Sequence, residues 1–141
     1  MNGAIMVGVR AVFGLVLGLF LAVFGWFFGW LVTPPGPQIP TSLLISFSGI
    51  GAGLGGFIVW LKPEVHRRVS AIHLALALGG GVVGAWSGWW VGPLIYPEGV
   101  RNPAGPFGIP PFIVAVLGAG VGANLLALIS YIFRLWRYHE V

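Results

Sequence analysis

Charge is scarce in this chain. Seven Lys and Arg and three acidic residues are spread over 141 positions, 7% in all, against about 25% in an ordinary soluble domain. Cysteine is absent, which excludes disulfides, thiolate metal sites and cysteine nucleophiles and leaves the redox compartment unread. The acids are Glu64, Glu98 and Glu140. No pair of carboxylates, Ser/His/Asp set or metal cluster can be assembled from such a pattern, so an enzyme is not expected. Neither a cofactor nor a resident metal is expected either.

Apolar residues and glycine are abundant instead. The chain is 57% hydrophobic with 24 glycines, and its mean hydropathy is +0.96. Four nearly uncharged segments stand out, from about Val7 to Val32, Ser42 to Leu61, Ile72 to about Val91 and Pro111 to Phe133. Each is close to or above the roughly 20 residues that cross a hydrocarbon core. A span in lipid must satisfy its own backbone, so helices are predicted. The sequence therefore reads as an all-α membrane protein with four transmembrane helices, one integral membrane domain over 1–141. Pro34, Pro35, Pro37 and Pro40 stop the first helix, while Pro110 and Pro111 suit a helix start. The first segment is too long for a signal-peptide core and is read as retained.

Glycine recurs at every fourth position within these spans. Gly80, Gly84, Gly88 and Gly92 form one ladder, and Gly14/Gly18, Gly25/Gly29, Gly49/Gly53, Gly51/Gly55 and Gly118/Gly122 are further pairs. In a soluble helix each would cost about 1 kcal/mol against alanine. In lipid the same spacing makes a flat face that lets backbones approach, a glycine-zipper pattern. Gly14, Gly18, Gly25, Gly29, Gly49, Gly53, Gly80, Gly84, Gly88, Gly118 and Gly122 are the expected helix-packing positions.

A duplicated hairpin is also legible. Gly25–Val32 lines up with Gly84–Val91, Gly36–Pro40 with Gly105–Pro110, and Gly51–Gly55 with Gly118–Gly122. The halves, about 7–61 and 72–133, would be parallel repeats about an axis along the membrane normal.

The net charge of +4 is explained by topology rather than by a nucleic-acid partner. Arg10, Lys62, Arg67, Arg68, Arg134 and Arg137 fall on one side of a four-span chain, with Arg101 on the other beside Glu98. The positive-inside rule then places both termini in the cytoplasm or the equivalent compartment of an organelle, with a bacterial plasma membrane as the expected location. Trp60 and Trp136 would belong to the inner aromatic belt, and Trp30, Trp89, Trp90 and Tyr96 to the outer one.

Chemical motifs are few. Gly51-x-Gly53-x-x-Gly56 and Gly118-x-Gly120-x-x-Ala123 match dinucleotide fingerprints in letters only, because neither follows a strand. A glycine-rich duplicated hairpin resembles the proteolipid rotor subunits of rotary ATPases. Those need an intramembrane carboxylate, whereas all three glutamates here lie in loops or the tail. The layout is also similar to the four-helix membrane region that precedes PIN–TRAM domains, with two glycine-rich hairpins and an inside-facing middle loop. That likeness is architectural and covers no diagnostic motif, and membership of neither family is inferred.

Asn124, in the middle of the fourth span, is the intramembrane polar candidate and is read as a helix–helix hydrogen bonder. Ser46, Ser48, Ser87 and Ser130 are expected to bond the preceding turn of their own helices. His73 is read as a headgroup contact near the inner interface, with His66 in the adjoining loop; a ligand role for His73 stays open. The Gly92–Pro110 loop is expected to cap the outer interface or to dock a partner. The leading functional expectation is a non-catalytic accessory or scaffolding subunit, packed in the bilayer against other transmembrane helices as a homo-oligomer or within a larger complex. The alternative is a small oligomeric transporter or channel.

Overall fold

A computed structural model of the chain describes residues 3–33, 40–61, 67–95 and 110–139, with side chains of the last stretch described over 112–133. It holds four helices: α1 (Gly3–Leu31), α2 (Thr41–Trp60), α3 (Arg67–Ile95) and α4 (Pro110–His139). All four are long and apolar enough to cross a membrane, and no strand occurs among the described residues. The chain is an all-helical integral membrane protein. The helices overrun the apolar windows at several ends, because a helix that bonds its own backbone needs no change at the edge of the hydrocarbon. Thus α3 begins at Arg67 and runs to Ile95, carrying Pro93 in its last turn. Pro110 is the first residue of α4, where its missing N–H would have been unbonded anyway.

Sequence neighbours pack antiparallel, and α4 closes the circuit against α1. The backbones of α2 and α4 also meet across the diagonal, whereas those of α1 and α3 do not approach. Helix α2 thus has three neighbours, and its sequence is built for all three. Gly51 and Gly55 face α1: a Cβ on Gly51 would overlap the Leu21 carbonyl, and one on Gly55 would lie 2.8 Å from Gly18 Cα. Gly49 and Gly53 face α3, at 2.5 Å from Val82 Cα and 2.6 Å from Leu78 Cα. Gly56 faces α4, 3.3 Å from the Ala123 carbonyl. At about 100° per residue, the pairs 49/53 and 51/55 point roughly opposite ways, as two different neighbours require.

The second hairpin is joined in the same manner. Added Cβ atoms on Gly84 and Gly88 would overlap the Gly118 and Val114 carbonyls, and one on Gly80 would lie 2.5 Å from the Gly122 carbonyl. In the first hairpin Gly25 faces the Phe47 carbonyl and Gly29 the Leu44 Cα. Where a Cβ would strike a carbonyl, the glycine Cα–H points at that oxygen. Such contacts contribute about 0.5–1 kcal/mol each.

Alanine fills the centre. Ala115, Ala119, Ala123 and Ala127 of α4 have no exposed surface, as do Ala22, Ala52, Ala77 and Ala85. Large side chains face outward instead, among them Phe13, Phe20, Phe24 and Phe28 of α1. Without a hydrophobic drive between helices in lipid, such a bundle is held by close dispersion contact and by the few polar bonds described next.

Candidate functional site

The side-chain hydrogen bonds between helices, among the described residues, lie toward the end of the bundle where α1 and α3 begin and α2 and α4 end. Two nodes form there. In the first, Asn124 of α4 accepts a hydrogen bond at Oδ1 from Trp60 Nε1, at 2.8 Å, and donates from Nδ2 to the Ala11 carbonyl, at 2.7 Å. Three helices are thereby joined through one amide. The orientation of that amide is forced, because a flip would set donor against donor and acceptor against acceptor. Gly14 makes the room: a Cβ there would lie 2.5 Å from Asn124 Oδ1. Tyr131 lies tilted against Trp60 with ring centroids 5.1 Å apart.

Trp60 therefore does not belong to an aromatic belt. It has no exposed surface, because its indole N–H has a buried acceptor and its ring packs among Ala77, Ala127 and Tyr131. Trp90, by contrast, is 72% exposed, as a belt residue should be. Tyr96 and the side chain of Trp136 lie outside the described residues.

The second node is His73 Nδ1 with Ser130 Oγ, across the α3–α4 seam. Ser130 also donates to the Ala127 carbonyl at 3.1 Å. The direction of the His73–Ser130 bond follows the imidazole tautomer: Nδ1–H donates when the hydroxyl proton stays on the Ala127 carbonyl. The imidazole lies 5.8 Å from the Phe57 ring. His73 is only 2% exposed, so the expected headgroup contact is not made. The reason is register: His73, Ala77, Gly81 and Ala85 are four residues apart and all buried, which continues the small-residue face one turn toward the helix start.

The serines divide. Ser130 bonds its own preceding turn and His73 as well, and Ser87 is exposed. Ser48 departs from expectation: its hydroxyl is fully buried and has no hydrogen-bond partner among the described residues. At the opposite end of the bundle the core is aromatic, with Trp26 edge-on to Phe112 at 4.7 Å and tilted against Trp89 at 6.0 Å.

The expected packing glycines are distributed over four seams rather than collected at one surface. Gly25 and Gly29 lie against α2, Gly18 against α2 and α4, Gly14 against α4 and the Trp60 indole, Gly49 and Gly53 against α3, and Gly80, Gly84, Gly88, Gly118 and Gly122 between α3 and α4. The alanine ladder of α4 escapes a reading centred on glycine. Its signal was a four-residue period at 115, 119, 123 and 127. No group of three His, Cys, Asp or Glu able to hold a metal occurs among the described residues. Glu64, His66, Glu98, Arg101 and Glu140 lie outside them, as does most of the Gly92–Pro110 loop, residues 96–109. The chemistry on view is neutral hydrogen bonding that fixes helix against helix. No protein-family model matches the chain, and no curated protein or solved structure does so either.

Proposed function

We propose that the protein is a non-catalytic membrane scaffold, an accessory subunit whose inner faces hold its own four helices and whose outer faces meet other transmembrane helices. The observation that carries this reading is the split between its two kinds of surface. Glycine and alanine ladders are spent inside the bundle, where alanine side chains close the centre. The outer face of α1 presents Phe13, Phe20, Phe24, Phe27, Phe28 and Trp30. Contact with a partner would then use this aromatic face and not the glycine faces. Purification from native membranes in mild detergent tests the proposal. A scaffold subunit migrates with other membrane proteins and loses them on Phe20→Ala with Phe24→Ala. An oligomeric transporter migrates as copies of itself and conducts a solute after reconstitution, which would replace this reading.

A duplicated hairpin fits the same picture. Gly51 on the Leu21 carbonyl corresponds to Gly118 on the Gly84 carbonyl, and Gly25 on the Phe47 carbonyl to Gly88 on that of Val114. These pairs support parallel repeats, with Gly25 equivalent to Gly88 and not to Gly84, one helical turn from the pairing by letters. The basic residues support termini on the cytoplasmic side of a bacterial plasma membrane. Reporters at the C-terminus and within 98–102 should then report opposite compartments, and the same compartment for both would refute four spans.

A further inference from the structure

Of the seams that join one hairpin to the other, α2–α3 and α1–α4 are built differently. Across α2–α3 main chain meets main chain, with Cβ positions on Gly49 and Gly53 at 2.5 and 2.6 Å from the facing Cα atoms. Across α1–α4 the corresponding approach is looser. A Cβ on Gly18 would stand 3.7 Å from Gly120 Cα, an ordinary contact, and Gly120 itself meets the side chain of Leu19. Toward the aromatic end this seam widens into an apolar groove of about 340 Å³, lined by Leu19, Phe20 and Val23 on α1 and by Phe112, Val116 and Leu117 on α4. At the polar end the seam is crossed by the bond from Asn124 Nδ2 to the Ala11 carbonyl.

We propose that Asn124 is a latch, and that the α1–α4 seam is where the bundle opens toward lipid when the latch is released. Lipid chains can replace helix contacts in an open groove at little cost, so packing alone holds such a seam weakly. A hydrogen bond across it adds about 0.6–2 kcal/mol, enough to bias a loosely packed seam toward the closed form. The parts fit the role. Gly14 is a notch in α1 that admits the amide, and Trp60 of α2 fixes Oδ1 so that Nδ2 faces Ala11. Release would let α1 pivot on α2 while the α2–α3 and α3–α4 contacts stay closed. This conformational device stands whether or not the scaffold reading holds.

The absence of cysteine makes the test clean. Spin labels on Phe20→Cys and Leu117→Cys flank the loose seam, and labels on Ile50→Cys and Val83→Cys report on α2 and α3; all four positions are exposed. Distances are measured by electron paramagnetic resonance on the full chain in phosphatidylcholine bilayers. The 20–117 distribution should already be broader than the 50–83 one without further change. Asn124→Leu should move it to longer distance and broaden it, and leave 50–83 in place. Gly14→Ala should do the same with the amide still present, since the new methyl displaces Oδ1. A 20–117 distribution as narrow as that of 50–83, unmoved by either substitution, would overturn the latch. Equal broadening at both pairs would overturn it too, because the whole bundle would then have loosened. If Asn124→Leu fails to assemble, Gly14→Ala and the unsubstituted comparison decide.

Discussion

Helices α1 and α2 belong to one hairpin, are both predominantly apolar, and carry glycine at the same spacing, yet they are used differently. Five of the 29 residues of α1 are buried, against nine of the 20 in α2. The buried residues of α1 are Gly14, Gly18, Ala22, Trp26 and Gly29, which lie along one stripe. Those of α2 include Ser48, Gly49, Ala52, Gly53, Gly55 and Gly56, which spread over about half of the circumference and leave Leu43, Ile50, Leu54 and Ile58 to lipid. Apolar character does not decide which helix is central, because lipid tails and a protein interior are equally apolar. Smallness decides. A helix with three neighbours must be thin on three faces, and a helix with an open side can keep its phenylalanines there.

The sharpest way to break this comparison uses one residue type on one helix. Gly84 meets the Gly118 carbonyl, whereas Gly79 has nothing within 4 Å of where its Cβ would be. Gly84→Leu should cost about 3 kcal/mol or more, since the obstacle is backbone and cannot rotate away. Gly79→Leu should stay within about 1 kcal/mol and could raise stability through helix propensity. Unfolding in mixed detergent micelles measures both, and equal effects would show that smallness is not what orders these helices.

Asn124→Leu should have a smaller effect, a loss of about 1–2 kcal/mol, because it removes the bond to Ala11 and leaves the Trp60 N–H without its acceptor. The same unfolding measurement reads it. A loss as large as that of Gly84→Leu would mean that the polar node, and not the glycine seams, holds the bundle.

The smallest effect has the opposite sign. Ser48 buries a hydroxyl without a partner among the described residues, so Ser48→Ala should stabilise by about 0.5–1 kcal/mol. A clear loss would mean that the hydroxyl serves some group in the core of α2, and that smallness alone does not describe that position.

Much of this architecture was legible before any coordinates. Four apolar stretches and the need to satisfy backbone groups in lipid led directly to four spanning helices. The glycine pairs marked flat packing faces, but that Gly49/Gly53 and Gly51/Gly55 serve two different neighbours of α2 emerged only from the structure. A four-residue period marks a face without naming its neighbour, however, so the diagonal contact of α2 with α4 could not be read. The alanines of α4 carried the same period but went unseen, because alanine is common in helices for other reasons. Trp60 was misplaced because tryptophan at the end of a span suits an interface as well as a core. An asparagine 64 residues away decided between them. His73 shows the same limit, since its partner Ser130 comes from another helix.

The central claim is that α2 and α4 meet across the diagonal of a single bundle, and a designed disulfide tests it most directly. The Cβ position of Gly56 lies 3.6 Å from Ala123 Cβ, within the roughly 3.5–4.5 Å that a disulfide spans. The chain has no other cysteine to confuse the result. Gly56→Cys with Ala123→Cys, oxidised in lipid bilayers, should form an intramolecular crosslink that shifts mobility on a non-reducing gel and reverses on reduction. Free thiols after oxidation, or a crosslink found only between two chains, would contradict the account.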